Sequence, residues 1–187
     1  MRAAYLSGAL FAASVCPMFA GSITVGVVLN ASSPAFNRTL GGNPPPGLSG
    51  VGTAVFYSSI PFTVDLSDTF TMATGNSLLS PGAADDTFLD LYSGSFNPAS
   101  PMTNVLEADD DSGPGLLSLI TRGLNPGVDY ILVATTFSNA VTGTFDVTIS
   151  GIDGTPTLGG EAIPEPASLA FVAAGLAAMW ALRRKRA

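Results

Sequence analysis

The sequence predicts an all-β body, a β-sandwich or jelly roll of about 8–9 strands, flanked by an N-terminal signal helix and a C-terminal transmembrane helix. Three observations carry that prediction. Between residues 21 and 160, apolar and polar residues alternate repeatedly with a period of two, and no stretch sustains a helical period. Turn signals rich in Gly, Pro and Asn separate the alternating runs at roughly 8–12-residue spacing. The 187 residues include 21 Gly and 14 Pro, high for a helical protein, while 47% hydrophobic and 11% charged residues suffice to bury a core.

The elements follow in order. Residues 23–29 form the first candidate strand. Residues 32–50, with Pro44-Pro45-Pro46, read as an extended surface loop. Residues 54–59 come next. Phe62, Val64 and Leu66 then alternate with Thr63, Asp65 and Ser67, and Phe70 and Met72 with Thr69 and Thr71. In residues 87–92, Leu89 and Leu91 share one side while Phe88 and Tyr92 share the other. Residues 104–108 and 116–122 are further candidates. Residues 130–137 are apolar on both faces, as a central strand requires. Phe145, Val147 and Ile149 alternate with Thr144, Asp146, Thr148 and Ser150, the clearest half-buried strand in the chain. Asn97-Pro98, Ser112-Gly113-Pro114-Gly115, Asn125-Pro126-Gly127 and Thr142-Gly143 mark turns. The body therefore spans 21–153, and residues 154–162 read as a linker.

Both ends read as addresses. Residues 1–20 carry Arg2, an apolar stretch over 6–18 and the small pair Ala20-Gly21, the layout of a secretory signal peptide. Residues 167–182 are uncharged and mostly apolar, and Arg183, Arg184, Lys185 and Arg186 follow at once. Sixteen residues of helix span roughly 24 Å, slightly short of a bilayer core, and snorkelling arginines with local thinning close the difference. The basic cluster holds the last residues on the cytoplasmic side.

Pro164-Glu165-Pro166, a short hydrophobic span and an Arg-rich end stand in that order over residues 163–187. This trio resembles the PEP-CTERM sorting signal. The resemblance implies a Gram-negative bacterium that makes exopolysaccharide, and processing near the motif by an exosortase, a membrane-embedded enzyme. Two prolines keep the segment extended and out of the helix, where such an enzyme reaches it. The inner-membrane tail is then a substrate rather than a permanent anchor. A second resemblance covers about residues 51–151. Phe62-Thr63-Val64, Asp86-Thr87-Phe88-Leu89, Leu91-Tyr92, Phe96-Asn97-Pro98, Asn104, Asp109-Asp110-Asp111 and the run 127–133 recur in an order similar to bacterial pre-peptidase C-terminal type β-sandwich domains. That resemblance implies a largely non-catalytic module of secreted proteins, for which carbohydrate or cell-surface association is the expected role.

Residue usage narrows the chemistry. The chain has no His, and its one Cys, Cys16, lies in the signal segment. A Ser-His-Asp triad, a Cys nucleophile, a zinc site of Cys and His and a disulfide framework are therefore excluded from the mature protein. Residues 21–160 hold twelve acidic residues against Arg38 and Arg122, so the body repels nucleic acid and anionic lipid. The densest charge run is Asp109-Asp110-Asp111-Ser112-Gly113. Asp109 and Asp111, with Asp86 or Asp90, are the candidate ligands for one Ca²⁺, which takes carboxylate oxygens in flexible turns. The competing reading is a solvated acidic turn, the commoner fate of such runs. Two carboxylates acting as glycosidase acid and base are a remote third reading, since one must be buried to raise its pKa. Tyr57, Tyr92, Phe96 and Tyr130 read as core or face residues, with a sugar-stacking platform as the alternative. The expectation is an exported, non-enzymatic cell-envelope or biofilm-matrix protein. Its alternative is a carbohydrate-binding module, with calcium and extracellular polysaccharide as the candidate ion and partner.

Overall fold

The computed structural model describes residues 21–80 and 85–159. The signal segment, the sorting motif, the span 167–182 and the basic end lie outside the described residues. Among the described residues there are eleven strands and no helix. They are β1 (Ser22–Leu29), β2 (Ala35–Phe36), β3 (Val55–Phe56), β4 (Ser58–Val64), β5 (Asp68–Leu79), β6 (Thr87–Ser93), β7 (Val105–Asp109), β8 (Leu119–Leu124), β9 (Tyr130–Thr136), β10 (Gly143–Gly151) and β11 (Pro156–Leu158).

One sheet has the order β1-β10-β5-β8 and the other β11-β4-β9-β6-β7; β2 and β3 form a small third pair. All neighbours are antiparallel. The period-two pattern decides what is buried. Val27, Phe70, Met72, Ile120, Phe145, Val147 and Ile149 of the first sheet meet Ile60, Phe62, Val64, Leu89, Leu91, Leu132 and Ala134 of the second. At one side the sheets are tied by the Arg122–Glu107 ion pair at 3.0 Å and by the Leu119 N–H donating to Asp109 at 2.7 Å.

Four expectations need correction. Residues 32–50 are not a surface loop. They fold with β2 and β3 over the outer face of the five-stranded sheet, burying Phe36, Arg38, Thr39, Pro45 and Ser49. The cause is that face itself, since Tyr92 and Val133 point outward and gather Phe36, Val55 and Phe96 into a second small core. The segment also extends the sheet edge, because Gly42 and Ala108 exchange backbone hydrogen bonds at 2.8 and 2.9 Å. β5 runs on to Leu79 where a shorter strand was expected. Gly75-Asn76-Ser77 forms an irregularity opposite β10, with Asn76 at φ 48°, and the strand continues through it. The boundary between the runs 54–59 and 62–66 also moves: β3 ends at Phe56, and β4 starts at Ser58 and passes through Pro61, whose missing N–H is tolerated because that side of β4 lies toward the sheet edge. Finally, Pro156–Leu158, within the expected linker, pairs with β4 as β11. The short strands β2, β3 and β11 raise the number above the expected eight or nine.

Candidate functional site

The charged side chains that the fold buries, Arg38 and Asp90, meet where the cap of residues 30–57 covers β6, close to the turn after β7. β6 lies between β9 and β7 and is buried on both faces. Leu89 and Leu91 enter the main core, while Asp90 and Tyr92 lie beneath the cap.

Arg38 comes down from the cap and is 2% exposed. Its guanidinium carbon stands 4.1 Å from the Phe88 ring centroid and 4.5 Å from that of Phe137, a cation sandwiched by two π faces. Nε donates to the Phe137 carbonyl at 3.0 Å, and Nη1 to the Thr39 carbonyl at 2.9 Å. Gly52 makes room for the side chain, since a Cβ there would meet Arg38 Cγ at 2.7 Å. Burial lowers the Arg38 pKa, and the charges of Asp110, Asp90 and Asp86 oppose that shift.

The Thr39 hydroxyl donates to Asp90 Oδ1. Asp90 is 0% exposed, and its Oδ2 and the Tyr92 hydroxyl are both buried without a partner among the described residues. Burial pushes the Asp90 carboxyl up to about 7, against the Thr39 bond and the Arg38 charge. Burial, and then the Asp90 charge, raise the Tyr92 phenol.

Asp86, Asp110 and Asp111 converge beside this buried layer. One carboxylate oxygen from each lies within 4.8 Å of the others. Oxygens bound to one Ca²⁺ at ~2.3–2.6 Å stand at most about 5 Å apart, so the spacing suits a shared hard cation. Burial, then Asp111, raise the Asp86 carboxyl, with Arg38 opposing. The same two causes in the same order push Asp110 up to about 6. Asp110 Oδ1 is buried without a partner.

Of the four proposed ligands, the structure brings Asp86 and Asp111 together. It places Asp90 and Asp109 elsewhere. Asp90 is engaged by the cap. Asp109 holds the turn and the neighbouring sheet, accepting from Ser112 N–H at 3.1 Å, the Ser112 hydroxyl and Leu119 N–H. Sequence reasoning placed Asp110 in the acidic run but chose its neighbours as ligands, and it gave Arg38 no role in the site. For Arg38 the signal was available: one of only two cations in a body of twelve carboxylates has a purpose wherever it sits. The aromatic residues form no platform. Tyr92, Phe96 and Tyr130 are 0, 9 and 4% exposed, and half-buried Tyr57 packs edge-on against Phe36 and Phe96 at 5.1 and 5.2 Å.

The remaining site residues, Pro164, Glu165, Pro166, Arg183, Arg184, Lys185 and Arg186, lie outside the described residues. Residues 162–186 match the model of the PEP-CTERM protein-sorting motif. The chain therefore carries the sorting signal of an exported, membrane-anchored precursor, and such signals are recognised by exosortases. No curated protein matches the chain.

Proposed function

We propose that the chain is a non-enzymatic protein of the cell envelope or biofilm matrix of a Gram-negative bacterium. Residues 167–182 hold the precursor in the inner membrane, with Arg183 to Arg186 on the cytoplasmic side, until exosortase cuts near Pro164-Glu165-Pro166. The released sandwich then stands at the cell surface, among extracellular polysaccharide. The observation that carries this reading is the order of parts: a folded β body reaching Gly159, followed at once by a sorting motif over 162–186. The surface supports it. Arg38 is buried and Arg122 is engaged by Glu107 and Asn43, so among the described residues no basic side chain is left to meet nucleic acid. Intact mass of the surface form tests the reading. The mature protein is expected to lack the residues beyond the motif, and recovery of a form that retains Arg183 to Arg186 overturns cleavage.

A second reading, a calcium-dependent module that binds carbohydrate, draws on the convergence of Asp86, Asp110 and Asp111. Buried aromatic residues leave its sugar-stacking half without support, so calcium is the part to test. At tenfold excess over its dissociation constant, Ca²⁺ is expected to stabilise the folded protein by about 1.4 kcal/mol. Melting is expected to shift upward by a few degrees. Asp110→Asn or Asp111→Asn removes most of the shift, whereas Asp146→Asn leaves it. Identical melting curves in millimolar Ca²⁺ and in chelator return the cluster to a solvated turn.

A further inference from the structure

On the side of the sandwich away from the Arg122–Glu107 pair, β1 is the last strand of its sheet, and no strand among the described residues pairs with its outer edge. Proteins blunt such edges with proline, charge, a bulge or a covering segment. The other edges carry these devices. The cap bridges β7 at Ala108, β8 carries Arg122, and Pro61 and Pro156 stand in β4 and β11. β1 has none of them. Residues 22–29 hold no charge and no proline, and their register with β10 runs unbroken from Ser22 to Leu29.

Alternation fixes which groups this edge offers. The Gly151 N–H donates to the Gly21 carbonyl at 3.2 Å, so Gly21, Ile23, Val25 and Val27 turn their backbone groups to β10. Ser22, Thr24, Gly26 and Val28 turn theirs outward. Beneath the edge, toward β4 and β11, lies a groove of about 330 Å³ whose lining includes Val25, Ile60, Pro61 and Leu158.

We infer that this edge pairs with β1 of a second copy of the chain, antiparallel, about a twofold axis at Val25. In that register Thr24 of one copy exchanges backbone hydrogen bonds with Gly26 of the other, and Ser22 with Val28. Val25 stands against its own counterpart, and Ile23 against Val27. The added strand lies over the groove and turns these apolar side chains toward it. β11 does not obstruct the approach. It covers only the Phe62–Val64 half of β4, and the axis reverses strand direction, so the copy's β11 falls beside the other half. Charge favours this contact. The body holds twelve carboxylates against two arginines, so contacts between copies elsewhere bring like charges together. On β1 and β10 the one carboxylate is Asp146, across from Gly26 and held by Asn76 Nδ2 at 2.7 Å. Three strand spacings, ~14 Å, separate it from its counterpart across the axis, more than the Debye length of about 8 Å at physiological salt. One contact thus closes two bare edges and two grooves without opposing carboxylates.

Disulfide trapping on the full chain in detergent, carrying Cys16→Ser, tests the pairing. Val25→Cys sets two thiols on residues whose Cα atoms stand about 4.5 Å apart across the axis, a separation a disulfide spans. Val28 is 62% exposed, yet its counterpart lies roughly 20 Å away along the strand. Val25→Cys is therefore expected to form a covalent dimer at least about tenfold faster than Val28→Cys. Adding Gly26→Pro removes an outward N–H and leaves the bonds to β10 in place. It is expected to abolish the Val25→Cys link while the Leu132 amide in β9 stays protected from exchange; if Leu132 loses protection, the comparison of Val25→Cys with Val28→Cys decides alone. Linking at Val28→Cys as fast as at Val25→Cys assigns it to chance collision and overturns the pairing, as does a Val25→Cys link that survives Gly26→Pro in the folded protein. Thr24 and Gly26 amides that stay protected on dilution to monomer assign the edge to another segment of the same chain and also overturn it.

Discussion

Arg38→Met is expected to destabilise the body by about 3–5 kcal/mol at pH 8, the cost of breaking a buried charge arrangement from one side. Methionine fills much of the slot between Phe88 and Phe137, so packing is not what is lost. The two donors to Phe137 and Thr39 disappear, leaving carbonyls under the cap unpaired. The cation that faces Asp90, Asp86 and Asp110 disappears as well. At pH 5, where Asp90 takes up a proton, the loss is expected to shrink toward the worth of the two hydrogen bonds and the π contacts. Denaturant titrations of both proteins at the two pH values check this. A loss near zero at pH 8 would show that Arg38 only fills space.

Stability of the parent protein is expected to fall as pH rises from about 4 to 7. The folded state holds Asp90 near 7 against an ordinary value of 3.8, so it binds a proton that the unfolded chain releases. That contribution is fully present below the unfolded pKa and is lost as pH passes through the folded one. Asp110, raised to about 6, and Asp86, raised by burial, add slope of the same sign. Asp68 works the other way. Backbone N–H donors of Gly154 and Asp153 hold its carboxyl below the usual range, so its contribution is lost as pH falls through that lowered value. Stability is therefore expected to peak at mildly acid pH. Asp90→Asn keeps an acceptor for Thr39, removes the largest of the raised carboxyls and flattens the decline by a few kcal/mol. A flat parent profile between pH 4 and 7 would mean that Asp90 is solvated in the native ensemble.

How much of this could be read from residues alone follows from where each kind of burial comes from. Strands that bury one face announce themselves by alternation, which is why Phe145, Val147 and Ile149 were legible without coordinates. The two-sided burial of β6 was half legible in Phe88, Leu89, Leu91 and Tyr92, yet Asp90 among them looked like a ligand rather than an anchor. The cap was not legible. Its buried residues Phe36, Arg38 and Thr39 follow no period, and Pro44-Pro45-Pro46 disguises it as loop. What folds it down is a demand made by the other side of the sheet, which local pattern does not carry. The acidic run failed for a related reason. Counting carboxylates found Asp111 and Asp86, but only the course of the turn after β7 separates Asp109, which caps it, from Asp110, which joins the cluster.

The pairing of β1 with β10 fixes when this body is able to form. Thr24 meets Thr148 across 124 positions of chain, and Arg38 meets Phe137 across 99. Long-range pairings of this kind are slow to close, typically over milliseconds to seconds, because the intervening chain must first be gathered. A half-emerged chain has the first strand but no partner for it, and the cap but no complete sheet to cover. The sandwich therefore closes only after nearly all of residues 21–159 are available together. Folding is a late event in the life of this exported precursor, completed only once the last strands have joined the first.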